Sequence, residues 1–364
     1  MRIVVDAMGS DRHPAPDVEG AVLAARALDA QDSLILVGDK ARLISELAKH
    51  SAGTLPIEIV HASQHIEMHD SPAKVARQKP DSSMMVGMKL VRDGHADAIV
   101  TAGSTGAALT LATLHTLQRV SGVRRPALTS LMRVENNQLV VMADLGANPD
   151  AQPDWMLQFG VMGSLYAQHV LGQTRPRVAL LSNGEEEGKG NQLVRECAAL
   201  FTDSGLNFIG NVEPKEVLQG VADVVVTDGF VGNIMLKTME AVGDAFFRVM
   251  RRELLRNPLR ILGGFLISPV LRKIYKQVDP FEIGGAPLLG VNGVVIVSHG
   301  RTNAKGIKNA VLQARRAVEG NLISAIREGM ARYVGKHGTA THTAQPRRRR
   351  HFLRRRKHLT PKHT

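Results

Sequence analysis

Nine short apolar runs along the chain each end abruptly in glycine or a small polar residue. They are RIVVDAMGSD, SLILVGDK, IEIVHAS, DAIVTAGSTGA, LVVMADLGAN, RVALLSNGEEE, NFIGNVE, DVVVTDGFVGN and GVVIVSHG. Helix-like segments such as DVEGAVLAARAL and KARLISELAKH separate most of them. Apolar runs without alternation read as strands buried on both faces, and helical connections make the strands parallel. The pattern predicts an α/β protein with a mostly parallel sheet and helices on both faces. Aromatic residues make up 4% of the chain, so the core must be aliphatic and rich in alanine.

The strand ends are the informative positions, because open α/β sheets bind ligands beyond the carboxyl ends of their strands. Here those ends carry Asp6, Gly9, Thr101, Gly103, Ser104, Thr105, Gly106, Asp144, Gly146, Asn148, Asn183, Lys189, Asp228 and Asn233. In TAGSTGA, 101–107, a strand ends, glycines follow and a helix begins. Free N–H groups there can bind an anion, or Ser104 or Thr105 can simply cap a turn. In NGEEEGKGN, 183–191, Asn183 stands where a P-loop needs its first glycine and Gly190 where it needs a hydroxyl. A nucleotide loop is therefore rejected. Lys189, between two glycines, reads as an anion contact or as a surface lysine. Glu185 is expected to orient Lys189 or a neighbouring loop, while Glu186 and Glu187 read equally as plain solvated charge. Asn233 reads equally as a helix cap or as an amide donor to an oxyanion.

Other chemistries find no support. No histidine set has metal-ligand spacing, no G-x-S-x-G elbow occurs, and no G-x-G-x-x-G follows the first strand. No metal or cofactor is expected. The one cysteine, Cys197, sits at a core-facing position of a helix pattern, which predicts packing and excludes an internal disulfide framework. No run approaches the length of a membrane span, and no targeting segment is visible.

The net charge of +12 is concentrated at one end. The tail 346–364 carries nine Lys/Arg and no acid, leaving 37 basic against 34 acidic residues elsewhere. Residues 341–364 are read as a disordered basic appendage to a domain over 1–340. Residues 251–276 carry seven bases and one acid among leucines and isoleucines, with Pro258, Pro269 and the pair Gly263–Gly264. They predict two short helices joined near the glycines. That hairpin is either an ordinary core pair or a surface element for lipid, acyl chain or an acidic protein.

The ordered motifs VVDAMGSD, TAGSTGA, DLGAN, FGVMGSLYA, RVALLSNGEEEGKGN, NFIGNVE, VADVVVTDGFVGNIMLKTME and GGAPLLGVNGVVIVSHG resemble the bacterial phosphate acyltransferases of phospholipid synthesis (PlsX family). The resemblance runs over about residues 1–335. Ser10 replaces the second glycine of that family's DAMGGD, and Thr101 and Ser104 alter its SAGNTGA. The resemblance implies a three-layer α/β/α sandwich like that of isocitrate and isopropylmalate dehydrogenases, dimeric, with a protruding helical hairpin at 251–276. It implies transfer of a long-chain acyl group from acyl carrier protein to inorganic phosphate. The acyl phosphate then serves a membrane glycerol-3-phosphate acyltransferase. By this resemblance Lys189 and Asn233 match the catalytic positions. Asp6, Gly9, Gly103, Ser104, Thr105, Gly106, Asp144, Gly146, Asn148, Asn183, Glu185 and Asp228 are expected to line the phosphate and substrate site. Leu254, Leu255, Leu259, Leu262, Phe265 and Leu266 are expected to meet lipid or acyl chain. Arg251, Arg252, Arg256, Arg260, Arg272 and Lys273 are expected to meet the carrier protein. A cytoplasmic enzyme associated peripherally with an anionic membrane follows. The competing readings are a phosphotransacetylase acting on acetyl coenzyme A, a decarboxylating dehydrogenase, and a tail-driven nucleic-acid or membrane-binding accessory.

Overall fold

The computed structural model describes residues 1–337, so the basic tail and the end of the expected 1–340 domain lie outside the described residues. The strands are β1 Arg2–Asp6, β2 Ser33–Gly38, β3 Ile57–His61, β4 Ala98–Thr101, β5 Ala127–Arg133 and β6 Leu139–Ala143. They continue as β7 Arg177–Leu181, β8 Asn207–Val212, β9 Val224–Val226, β10 Ala286–Leu289 and β11 Val294–Val297. The helices are α1 Ala15–Ala25, α2 Lys40–Leu47, α3 Pro72–Gln78, α4 Ser83–Arg92, α5 Thr105–Thr110 and α6 Pro153–His169. After them come α7 Gln192–Thr202, α8 Pro214–Gln219, α9 Gly229–Leu254, α10 Pro258–Val278, α11 Ala304–Glu319 and α12 Leu322–His337.

All the strands join one sheet in the order β3-β2-β1-β4-β11-β10-β5-β6-β9-β7-β8. Among the described strands, only the pairings β11–β10, β10–β5 and β5–β6 are antiparallel. The sheet is thus two parallel blocks, joined through β10 and β5. Alternate residues of each strand serve opposite faces. Ile3, Val5, Leu34, Leu36 and Val100 pack with α1 and α11 on one face. Val4, Ile35, Val37 and Ile99 pack with Met84, Met85 and Met88 of α4 on the other. The core is aliphatic, with Tyr166, Phe159 and Phe201 as its largest fully buried side chains. Cys197 joins this core at 0% exposure, and burial pushes its thiol up to about 12.

Two rows of strand ends result. Asp6, Thr101 and Val297 are in register at the carboxyl edge of the first block. Ala143, Val226 and Leu180 are in register at the carboxyl edge of the second.

The hairpin differs from its sequence-based outline. The chain turns at residues 255–257, between α9 and α10, and Gly263–Gly264 lies inside α10. Asn257 accepts a hydrogen bond from the Arg260 N–H at 2.9 Å, and Pro258 opens the helix. An Asn cap followed by Pro is a strong helix start, and it outweighs a glycine pair that a helix can tolerate. A Cβ on Gly264 would lie 3.6 Å from Leu254 Cβ, so the glycine lets the two helices approach. Leu254 is accordingly half-buried between them. Leu255, Leu259, Leu262, Phe265 and Leu266 are exposed, Leu259 at 80% and Phe265 at 74%. Glu253 gathers Arg252, Arg256 and Arg260 within 3.8, 3.4 and 2.8 Å. Arg251, Arg272 and Lys273 are exposed.

Candidate active site

At the first row, Thr101 Oγ1 donates to Asp6 Oδ2 at 2.7 Å and accepts from the Gly103 N–H at 3.0 Å. Gly9 lies directly on this turn. A Cβ there would be 2.8 Å from Gly103 N and 3.0 Å from Ala102 N, so only glycine fits between the two backbones. Ser104 caps α5 by accepting from the Ala107 N–H at 3.4 Å. The N–H groups of Ser104, Thr105 and Gly106 are at a helix start, where no carbonyl within the helix can accept from them. They are available to an anion. Of the two readings of TAGSTGA, the plain cap by Ser104 is the one observed.

At the second row, Asp144 is fully buried and organises the turn after β6. Its carboxylate accepts from the N–H groups of Leu128, Leu145, Ala147 and Asn148 and from Asn148 Nδ2, at 2.6–3.2 Å. Burial nonetheless raises its pKa above the usual carboxylate range, with these hydrogen bonds pulling the other way. The Ala143–Asp144 peptide is cis. Gly146 has φ +135°, a conformation that strains side chains with a Cβ. A Cβ on it would come 3.8 Å from the Asn233 side chain, so Asn233 overlies this turn.

Asp228 answers the question left open at Asn233. Its carboxylate caps α9, accepting from Phe230 N–H at 3.0 Å and Val231 N–H at 2.9 Å. Asn233 is in the second turn, exposed, and is not the cap. Gly232 lets the helix sit on the β6 turn, since a Cβ there would be 2.2 Å from Asp144 O.

β7 ends beside β9, so the NGEEEGKGN loop leaves the same edge. Asn183 Oδ1 accepts from the Gly190 N–H at 3.0 Å and closes the loop on itself. Asn191 caps α7 through the Val194 N–H. Lys189 is half-exposed, with its Nζ 3.9 Å from Glu186 Oε2. Glu185 points elsewhere: it pairs with Glu216, which raises its pKa, beside Lys215 at the start of α8. Glu185 therefore joins the neighbouring loop, and Glu186 is the glutamate beside Lys189. In a run of three adjacent residues on a turn, side chains diverge, and the sequence does not say which goes where.

The site residues thus form three groups. Asp6, Gly9, Gly103, Ser104, Thr105 and Gly106 sit together, as do Asp144, Gly146, Asn148, Asp228 and Asn233, and as do Asn183 and Lys189. The first two groups are linked by α9. Lys237, one turn after Asn233 on the same helix face, acts on His299, two residues beyond β11. Burial lowers the His299 pKa below its usual range, and the Lys237 ammonium and Arg301 guanidinium lower it further, against Glu240 and Asp11. Neither His299 nor Lys237 is singled out by a motif of the sequence. The signal was available: His299 follows a strand end that is in register with Thr101, and Lys237 is four residues from Asn233.

The depressed His299 pKa has a defined sign. Below the ordinary value of 6.5 the unfolded chain takes up this proton before the folded protein does. Stability present at neutral pH is therefore lost as pH falls from 6.5 towards the folded pKa. His299→Gln is expected to flatten that loss in denaturant titrations between neutral pH and about pH 5. Lys237→Met is expected to move the His299 titration upward by NMR.

The fold gathers small-residue turns and helix starts at the carboxyl ends of its strands, where open α/β sheets bind ligands. A family model described as fatty acid synthesis protein matches residues 1–325. A phosphate acyltransferase of Pelotomaculum thermopropionicum is 46% identical over 330 residues, covering 91% of this chain and 95% of its own. Another, from Desulfitobacterium hafniense, is 45% identical over 336 residues, covering 92% and 99%. The chain belongs to the phosphate acyltransferase family of fatty acid and phospholipid synthesis. Among solved structures, a phosphotransacetylase from Streptococcus pyogenes superposes with TM-score 0.58 at 20% identity, covering 87% of this chain and 94% of that one. A branched-chain phosphotransacylase from Enterococcus faecalis gives 0.54 at 16%, covering 87% and 99%. These likenesses are of fold.

Proposed function

We propose that this phosphate acyltransferase moves a long-chain acyl group from acyl carrier protein to inorganic phosphate. Phosphate is already a nucleophile, so the protein needs to place it and to stabilise charge. One phosphate oxygen attacks the thioester carbon, the C–S bond breaks, the carrier thiolate leaves, and an acyl phosphate forms. The turns 101–106 and 144–148 hold phosphate through N–H groups and hydroxyls. Lys189 and Asn233 stabilise phosphate or the oxyanion. The observation that carries this reading is the cap at α9. Asp228 satisfies the helix end, which leaves the Asn233 amide free above the Gly146 turn.

A substrate panel tests it. Palmitoyl-acyl carrier protein with phosphate is expected to give acyl phosphate, and acetyl coenzyme A to give little. The reverse preference supports a short-chain phosphotransacetylase on the same architecture. The three-layer, isocitrate-dehydrogenase-like description belongs to this reading, as do the homodimer and supply of acyl phosphate to a membrane glycerol-3-phosphate acyltransferase.

No helix among the described residues is long and apolar enough to cross a membrane. The exposed Leu259, Leu262, Phe265 and Leu266 instead suit peripheral insertion from the cytoplasm, and Arg251, Arg272 and Lys273 suit an anionic surface or an acidic carrier. Glu253 already neutralises part of the charge on Arg252, Arg256 and Arg260. The double variant Leu262→Glu/Phe265→Glu is expected to stay in solution in flotation with anionic vesicles. Unchanged flotation removes the hairpin as the anchor. The tail 341–364 is proposed to reinforce attachment, and its deletion should weaken vesicle affinity most at low salt.

A further inference from the structure

The turn after β11 brings a histidine to the first row of strand ends, and the reaction as drawn leaves it unused. Val297, the last residue of β11, is in register with Thr101, and the Ser298 N–H donates to Thr101 O at 2.7 Å. The chain at 298–299 thus runs alongside the turn that opens at Thr101, one strand spacing, about 5 Å, away. Side chains alternate along a strand. Val295 and Val297 pack with Ala107 and Ala108 of α5, while Ser298 donates the other way, to Gly284 O at 2.9 Å beside α11. His299, next after Ser298, returns to the face of α5. The following residue is held in place: Gly300 O accepts from the Asp11 N–H at 2.9 Å, and a Cβ on Gly300 would collide with Met68 and Asp11.

The ring is oriented by its own turn. His299 Nδ1 accepts from the Arg301 N–H at 3.3 Å. A neutral imidazole that accepts at Nδ1 carries its proton on Nε2. Nε2 has no hydrogen-bond partner among the described residues, and His299 is open to solvent, so an incoming anion can reach it. If the ring gains a second proton, Nε2 is still a donor. Two cations stand nearby. Lys237 of α9 and Arg301 act on the ring more strongly than do Glu240 of α9 and Asp11 of the turn after β1. Partial burial, first, and these cations hold its pKa below 6.5, so the ring is neutral at pH 7. Lys237 has only a loose ion pair, 3.7 Å from Glu240, and is free to turn towards an anion.

We propose that His299 is a further catalytic residue, whose Nε2–H donates to an oxygen of the phosphate held at the turn after β4. This rests on the reading of the 101–106 turn as part of the phosphate site. The positive charge of Lys237 and Arg301 around the ring draws the anion in. A neutral N–H then orients a phosphate oxygen while withdrawing less of its charge than a contacting cation does, and that charge is what attacks the thioester carbon. The hydrogen bond is made before attack as well as during it, so it acts on phosphate binding more than on the rate of the bound complex. That separates it from Lys189 and Asn233, whose loss is expected in kcat.

Two amide substitutions separate the two ring nitrogens. His299→Asn puts an acceptor oxygen where Nδ1 was, which keeps the Arg301 N–H satisfied and removes the distal donor. His299→Gln puts an amide N–H where Nε2 was and gives up the proximal acceptor. The full chain is titrated with inorganic phosphate by calorimetry, and phosphate KM is measured at saturating acyl-acyl carrier protein. Both constants are expected to rise roughly tenfold in His299→Asn, with kcat changed much less. His299→Gln is expected to recover most of that binding. Parental phosphate affinity in His299→Asn overturns the proposal. So does a His299→Gln that binds no better than His299→Asn, which would mark the ring as a brace for its own turn. If neither variant folds, nitrogen-15 NMR of the unsubstituted protein decides. It is expected to show the Nε2–H tautomer and an Nε2 shift that saturates with phosphate. An Nδ1–H tautomer, or an Nε2 unmoved by bound phosphate, overturns the proposal. An unsubstituted protein that binds no phosphate would instead overturn the phosphate site itself.

Discussion

Lys189→Ala and Asn233→Ala are each expected to lower kcat for acyl-phosphate formation by about 10²–10³, the loss typical of one oxyanion donor. The size of this effect comes from the chemistry, since neither side chain is built into the fold. Lys189 is half-exposed on its loop and, among the described residues, pairs with Glu186, at 3.9 Å. An exposed pair at that separation contributes little to stability. Asn233 is exposed on the second turn of α9, while Asp228 does the capping. Circular dichroism and thermal midpoints should therefore stay close to those of the parent protein. Lys189→Arg keeps the charge but not the compact ammonium, and should recover part of the rate. Near-parental kcat in both alanine variants would falsify their assignment.

Asp144→Ala is expected to do the opposite, losing the fold of the site along with activity. Four backbone N–H groups and the Asn148 amide converge on one buried carboxylate. Each buried donor left without an acceptor costs about 1–3 kcal/mol. Water entering the gap recovers some of this, so a loss of about 4 kcal/mol or more in denaturant titrations is expected. Because α9 sits on Asp144 O through Gly232, the position of Asn233 goes with it. A variant with nearly parental stability would show that the turn after β6 is held by something other than this carboxylate.

These two results divide the site into residues for chemistry and residues for placement, and the sequence shows the division unevenly. The strands are legible because parallel strands buried on both faces must be continuously apolar, as in RIVVD and RVALL. The turns are legible as turns from their glycines. Which side chain performs which task within a turn is not, because hydrogen bonds between distant segments decide it. Asp144 bonds to Leu128, and Asp6 to Thr101. The cap at Asp228 was within reach, since an aspartate before a helix is a better cap than an asparagine several residues inside it. The joint at Asn257–Pro258 was equally within reach and was outweighed by a conspicuous glycine pair. The direction of Glu185 was not, since it depends on α8 packing next to the loop. Ser10 is visible in the sequence as a departure from a family motif. That it meets Asp17 appears only once α1 is laid against the turn.

A crystal structure of the full chain grown with inorganic phosphate tests the assignment most directly. Phosphate oxygens are expected within about 2.7–3.2 Å of the N–H groups of Ser104 and Thr105 and of Asn233 Nδ2 or Lys189 Nζ. A phosphate seated away from both the turn after β4 and the start of α9 would contradict it.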